Sequence, residues 1–463
     1  MAAEPSDKKS NSRTEVRELQ GSEDTSEKSS QKTSSRILQQ PLSFCPAGPQ
    51  GYVLGLRGFW TVSSFLWVFL TTFAPVTVKS TANREGPFWQ EILRNVFSPL
   101  FWNPSLIYSV FIIISARLVA IPFLLDPTKS TLASAIFRRG LRLWFPVAVS
   151  LAIVKILSST IGTTYIDQFK ENTGNGSINA PYSMPNALAY FNSVFNLFWT
   201  THQFFEQAGN TSFPSQTLWV VNVIYAQSYT VYMTMVIIPY TRNAWRVKAY
   251  IAFIVTAWWV QSWAWYTITG LLVADVVMNM RYKERAQRGI KIWRNIRCPV
   301  WIPAGILMLA GFIMQYLWTG WRPAYENKEL LAHTGLYYTG GLNTLPANSE
   351  PQARDDCYLI VLGLFLILES TDWLQRLFQS PVLLYLGRRS LSWMLTQSII
   401  TYSAGIKLHQ ALTQKQHVSD SGATAVAFFV VLPTVIVSGE IFYRLVDWPS
   451  QNLAHIVFDW IRE

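Results

Sequence analysis

Five ionisable residues lie in stretches of chain that are otherwise apolar: Arg117, Lys155, Asp275, Glu369 and Asp372. A charge inside a bilayer costs at least about 2.5–3.5 kcal/mol on insertion scales, so each is a functional candidate by default. Glu369-Ser-Thr-Asp372 is the sharpest local feature, because an i, i+3 spacing on a continuous helix puts both carboxyls on one face. Two close carboxyls in a low-dielectric site do not both ionise cheaply, so one keeps its proton and can serve as a general acid. The plainer alternative makes the pair a helix end where water returns, with Ser370 and Thr371 in a turn. Asp275 is the third catalytic candidate, unless it only pairs with Arg117 or a nearby basic loop. Aromatic residues crowd the middle of the chain, and Tyr225, Tyr229 and Tyr232 at i, i+4 and i+7 share one helical face. A pocket of Arg117, Tyr225, Tyr229, Trp259 and Trp263 would offer ring faces to a carbocation, each worth about 0.5–2 kcal/mol. An interfacial aromatic belt with ordinary packing is the competing use. Lys155 lies near a span end and can snorkel, while Arg57, Glu440 and Asp447 at other span ends read as anchors or helix-pairing groups.

The elements that must carry these residues are membrane helices. The chain has 463 residues, half of them hydrophobic, and its apolar runs recur from residue 53 to 443. Measured against about 20 helical residues per crossing, spans are predicted near 53–77, 105–125, 140–160, 216–239, 250–264, 265–281, 299–318, 357–375, 390–406 and 423–443. This is an all-α, polytopic bundle of about ten transmembrane helices over residues 51–450. It is preceded by a polar tail, 1–50, that buries too little apolar area to fold, and followed by a short segment, 451–463. Residues 250–280 read as two short helices hinged around Trp263 to Trp265 rather than one long one. Charge supports that division. With ten spans and both termini cytosolic, the cytosolic loops 126–143, 240–249, 281–298 and 376–389 hold 17 Lys and Arg in 60 residues, and the opposite loops hold 9 in 135. Merging the two short helices would send the most basic loop, Arg281 to Arg297, to the wrong side.

Two sequons, Asn175-Gly-Ser177 and Asn210-Thr-Ser212, fall in loop 161–214 on the side that charge assigns to the lumen, which predicts glycosylation and an endoplasmic reticulum location. A net charge of +11 suits cationic loops facing anionic membrane lipid better than nucleic acid, which is not an expected partner. Cys45, Cys298 and Cys357 have no metal-ligand spacing, and no metal or other cofactor is called for. His202, His333, His409, His417 and His455 all lie outside the spans and read as solvated loop or tail residues.

Several blocks, in order, resemble the acyltransferase-3 family of ten-span membrane O-acyltransferases. Leu56-Arg57-Gly58 resembles that family's Leu-Arg-Gly entry to the first span. Phe111 to Ser115, then Phe137-Arg138-Arg139-Gly140-Leu141-Arg142-Leu143, resemble its second span and basic turn. Leu218-Trp219, Gly270 to Asp275, Tyr385-Leu386-Gly387-Arg388 and Gly439-Glu440 through Asp447-Trp448-Pro449-Ser450 are similar to its later blocks. The resemblance covers most of residues 52–450. It implies a histidine about three helical turns beyond the arginine of the entry motif, where it would take the proton of an acceptor hydroxyl, and a glutamate about five residues beyond the Leu-Trp tryptophan. Here those positions hold Val68 and Ile224, which cannot carry a proton.

The missing acyl-transfer residues, the carboxyls and the aromatics together resemble fungal integral-membrane terpene cyclases of meroterpenoid biosynthesis, of the ascofuranone and macrophorin kind. That resemblance implies protonation and cyclisation of the prenyl chain of a lipid-soluble prenylated phenol without a cofactor. The alternative keeps acyl transfer, with acyl-CoA phosphates at Arg138, Arg139 and Arg142; a third possibility is an inactive relative serving as transporter or scaffold.

Overall fold

The computed structural model describes residues 50–79, 85–200, 203–293, 296–323, 326 and 351–462. The polar tail 1–49, with Cys45, and also His202 and His333, lie outside the described residues. Two units are distinguished by contacts, residues 1–45 and 46–463, and everything below concerns the second.

Among its described residues that unit is helical apart from turns, loops and one antiparallel hairpin, β1 (Ile290–Trp293) with β2 (Ile296–Cys298), in the basic loop. The principal helices are α1 (Gly51–Phe73), α2 (Phe88–Val96), α3 (Pro104–Leu125), α4 (Lys129–Ile161), α5 (Thr164–Thr173), α6 (Ala187–Trp199), α7 (Trp219–Ile237), α8 (Asn243–Trp259) and α9 (Ala264–Asn279). After the hairpin come α10 (Trp301–Tyr316), α11 (Asp355–Ser370), α12 (Asp372–Phe378), α13 (Pro381–Arg388), α14 (Ser390–Ile400), α15 (Asp420–Phe442) and α16 (Trp448–Arg462). Among the described residues, six helical stretches are long and apolar enough to cross a membrane: Gly51–Phe73, Ser98–Leu125, Lys129–Ile161, Trp219–Tyr240, Trp301–Trp321 and Asp420–Arg462. The bent pair α11 and α12 would make a seventh. Large apolar side chains such as Met233, Ile306, Leu309, Phe429 and Val437 point away from the protein. That is the surface of a bundle solvated by lipid, not water.

Burial separates centre from rim. In the span that includes α3, 72% of the most apolar window is buried, against 22% in the span that begins with α10. Around α3 pack α1, α7 and α9, and their buried residues Leu56, Ile107, Phe111, Val220 and Tyr266 belong to one apolar cluster. Close backbone approach sets two of these contacts. A Cβ on Gly58 would lie 2.1 Å from the Leu383 carbonyl oxygen, and one on Gly387 would lie 2.0 Å from that of Leu54. The entry motif of α1 and the Leu-Gly turn of α13 therefore touch backbone to backbone, which only residues without a side chain allow.

The stretch from Tyr250 to Met280 is indeed two helices. They separate after Trp259, where Gln261 takes a left-handed conformation (φ 53°). Glu369 and Asp372 flank a helix end, the plainer of the two readings their spacing allowed. Thr371 between them is extended (φ −118°, ψ 109°), and α11 and α12 meet at 106°. The i, i+3 rule needs an unbroken helix, so the two carboxyls do not share a face. Helices α15 and α16 are joined by a π-helical turn, Tyr443–Asp447, whose extra residue per turn rotates α16 relative to α15.

Candidate functional site

The predicted catalytic carboxyls are each committed to a cation, in three separate places. Glu369, 2% exposed, forms an ion pair with Arg117, which is fully buried. The Tyr52 hydroxyl donates to Glu369 Oε2 at 2.6 Å, and Arg117 Nη2 donates to Gln50 Oε1 at 3.1 Å and Tyr52 Oη at 3.2 Å. The guanidinium also lies 5.7 Å from the centre of the Tyr52 ring and 5.6 Å from that of Phe365. Beside this cluster Tyr282 donates to the Leu366 carbonyl at 3.2 Å, and burial, then the Glu369 carboxylate, raise its phenol to about 12. Asp275 Oδ2 forms an ion pair with Arg246 Nε at 2.7 Å, and its Oδ1 accepts from Asn279 Nδ2 at 2.6 Å. The pairing with a neighbouring basic segment is thus the realised one, and Arg117 belongs to Glu369. Asp372 is exposed and pairs with Lys283 of the basic loop. Each carboxyl is thus engaged by a cation, two of them in the packed interior and one at the surface.

The expected aromatic pocket does not assemble either. Trp259 is 48% exposed and points outward, while Trp263 is buried against Trp219 and Tyr266. Tyr225, Tyr229 and Tyr232 do share a face. The Tyr229 hydroxyl donates to that of Tyr225 at 2.9 Å, and Tyr232 donates to the Ala135 carbonyl of α4 at 3.0 Å. Of these, only Tyr232 reaches a cavity.

That cavity, of about 300 Å³, lies between α1, α3, α4, α7, α14 and α16. Five arginines line it: Arg57, Arg138, Arg139, Arg142 and Arg388. Opposite them is an apolar wall including Phe111, Leu118, Val119, Ile224 and Met394. Its acidic group is Asp447, and His455 stands at its exposed edge. The close α1–α13 packing brings Arg57 and Arg388 there, and Thr128, whose hydroxyl accepts from the Thr131 amide, caps the helix that carries the other three. Arg139 ties three helices together. Its Nε donates to Ser228 Oγ and its Nη2 to Ser115 Oγ, both at 2.8 Å, with the Ile224 carbonyl at 3.5 Å.

What sets this cavity apart is an excess of cations, five arginines against the one carboxyl of Asp447. Arg117, Arg246 and Arg389 each have a carboxylate partner, Glu369, Asp275 and Glu440. Among the described residues, no carboxylate lies within salt-bridge distance of Arg57, Arg139 or Arg142. A low-dielectric cleft lined by one sign of charge concentrates the opposite sign, and planar guanidinium forks match phosphate oxygens in pairs. No protein-family model, no curated protein and no solved structure matches this chain. Its own geometry therefore carries the functional argument.

Two histidines and two sequons differ from their sequence reading. His409 is 1% exposed, its ring centre 5.4 Å from those of both Phe73 and Phe169, with Nε2 3.3 Å from Asp420. His455 contacts Arg138 instead of standing free in a tail. Asn175 Nδ2 donates to the Thr71 and Thr72 carbonyls at 2.8 and 3.1 Å, and Asn210 Nδ2 to that of Phe205 at 2.7 Å. Both side chains are fully buried. As folded, neither sequon has room for a glycan, because the nitrogen that would carry it is an interior donor.

The two apolar replacements separate in space. Ile224 is in the cavity wall, whereas Val68 is buried away from it in α1. One turn before Val68, Ser64 accepts a hydrogen bond from Gln397 Nε2 at 2.8 Å. The signals for the cavity were all present as an arginine run, a Leu-Arg-Gly and a Leu-Gly turn. Their convergence was not.

Proposed function

We propose that this chain is a membrane O-acyltransferase of acyltransferase-3 type, with ten crossings, which uses a phosphate-bearing acyl carrier such as acyl-CoA to acylate a lipid-soluble small molecule. One observation carries this reading: several arginines without carboxylate partners converge on one cavity beside an apolar wall. Phosphates of the carrier would meet Arg138, Arg139, Arg142 and Arg57. The acyl group and an acceptor of prenylated-phenol type would lie against Phe111, Leu118, Ile224 and Met394. A cavity of about 300 Å³ is at the small end for ligand pockets. It suits the carrier's thiol arm with a short acyl group, leaving the nucleotide at the mouth. The loop-charge bias supports placing this end of the bundle and both termini in the cytosol, where acyl-CoA is found, with the endoplasmic reticulum as the membrane.

Cyclisation by proton donation is less well supported. Glu369 faces Arg117, and neither it nor Trp259 nor Trp263 lines the arginine cavity. The apolar wall at Ile224 is the feature that favours it. The two reactions differ in product mass. Microsomes containing the protein, supplied with radiolabelled acetyl-CoA and a prenylated phenol, should give a product heavier by one acetyl group. An isomer of unchanged mass, formed from the prenylated phenol or its epoxide without CoA, would select the cyclase instead.

A further inference from the structure

Resting on the acyl-transfer reading, we propose that Asp447 is the catalytic base of the transfer, in place of the histidine and glutamate whose positions hold Val68 and Ile224. Asp447 lines the basic cavity and is 2% exposed. It ends the π-helical turn Tyr443–Asp447 between α15 and α16. Such turns cost helical hydrogen-bond geometry and recur at functional sites, where the extra residue aims a side chain. Two neighbours fix the carboxylate. Ser392 Oγ donates to Oδ2 at 3.2 Å, and Gln451 Nε2 donates to Oδ1 at 2.8 Å. Each carboxylate oxygen can accept more than one hydrogen bond, so both retain capacity for an acceptor hydroxyl.

The other proton-carrying side chain of the wall is less suitable. His455 is exposed and stands against the Arg138 guanidinium, a setting that disfavours taking up a second positive charge. In the proposed step the acceptor O–H gives its proton to an Asp447 oxygen as the acceptor oxygen bonds to the thioester carbonyl carbon. The C–S bond then breaks, and the departing CoA sulfur takes that proton from Asp447. The sum is ester plus CoA thiol, with no oxidant or further reactant. The arginines, besides holding phosphate, would stabilise the anion that forms on the thioester oxygen.

Water can replace the unidentified acceptor, so release of CoA thiol from acetyl-CoA by the purified full-length protein is the probe. Binding of CoA itself is measured in parallel. Asp447→Asn should bind CoA within about threefold of the unaltered protein, or more tightly, yet release thiol about 10²–10⁴-fold more slowly, the range of a lost general base. Asp447→Glu should recover part of the rate. If the unaltered protein neither binds CoA nor releases thiol, the acyl-transfer reading falls and this inference with it. If the unaltered protein does both and Asp447→Asn still releases thiol within threefold, only the assignment of Asp447 is overturned. Loss of CoA binding in Asp447→Asn together with Asp447→Glu would likewise overturn it, by making the residue structural.

Discussion

Arginines in this protein fall into two groups, and substitution should tell them apart. Arg117 is neutralised by Glu369 in the core. Glu369→Gln leaves a buried guanidinium without its counter-charge, a change that costs about 3–5 kcal/mol when one partner of a buried pair is removed. The expected result is a clear drop in thermal midpoint in detergent, largely recovered when Arg117→Met is added. A stable Glu369→Gln protein lacking only turnover would instead restore that residue as an acid. Arg139, by contrast, faces the cavity and is held by hydroxyls. Arg139→Ala should weaken CoA binding about 10- to 100-fold, the range for one charge-assisted contact of about 1.5–3 kcal/mol. Arg139→Lys should not restore it, because an ammonium cannot span Ser115 and Ser228 while also meeting a phosphate. The charged residues were legible from the sequence as unusual, but their partners were not. Asp275 could have met either Arg246 or Arg117 from the order of spans, and only packing assigns it to the first.

Helix boundaries were readable where local chemistry sets them and unreadable where packing does. The break between α8 and α9 is required by the count of basic residues in the next loop, which demands an extra crossing. The break at Thr371 was legible only as one of two readings, from the adjacent Ser370 and Thr371, since neither proline nor glycine interrupts Leu368 to Trp373. Its extended backbone instead separates Glu369, paired with Arg117, from Asp372, paired with Lys283. Glycines show the same limit. Gly58 and Gly387 each stand out in a short motif, yet nothing in either motif says that the two helices touch. Adding a methyl group there requires α1 and α13 to part. Gly387→Ala should destabilise the fold by about 1–3 kcal/mol, as overpacking does, and should weaken CoA binding as well, because Arg57 and Arg388 ride on those helices. Unchanged binding in a destabilised Gly387→Ala protein would show that the contact does not shape the cavity.

Composition made the class of the molecule plain: a helical membrane bundle whose apolar side chains face outward as well as inward. Ten crossings, rather than the six or seven that the long apolar helices supply, would need the shorter helices α8, α9 and α14 to cross as well. Cysteine labelling from either side of sealed microsomes tests the ten-span arrangement, with the β1–β2 hairpin expected on the same side as the N-terminus. The buried amides of Asn175 and Asn210 lead to a second expectation. Mass analysis of the protein from a eukaryotic host should find both asparagines unmodified, whereas a glycan on either would require that region to open.

The central claim is that the arginine-rich cavity holds a phosphate-bearing acyl carrier. Calorimetric titration of CoA into the purified full-length protein, at low and at high salt, tests it most directly. Saturable binding that weakens with salt and is lost in an Arg138→Ala, Arg142→Ala double variant is the expected result. No saturable heat at low salt, from protein that converts a prenylated phenol to an isomer of the same mass, would contradict it.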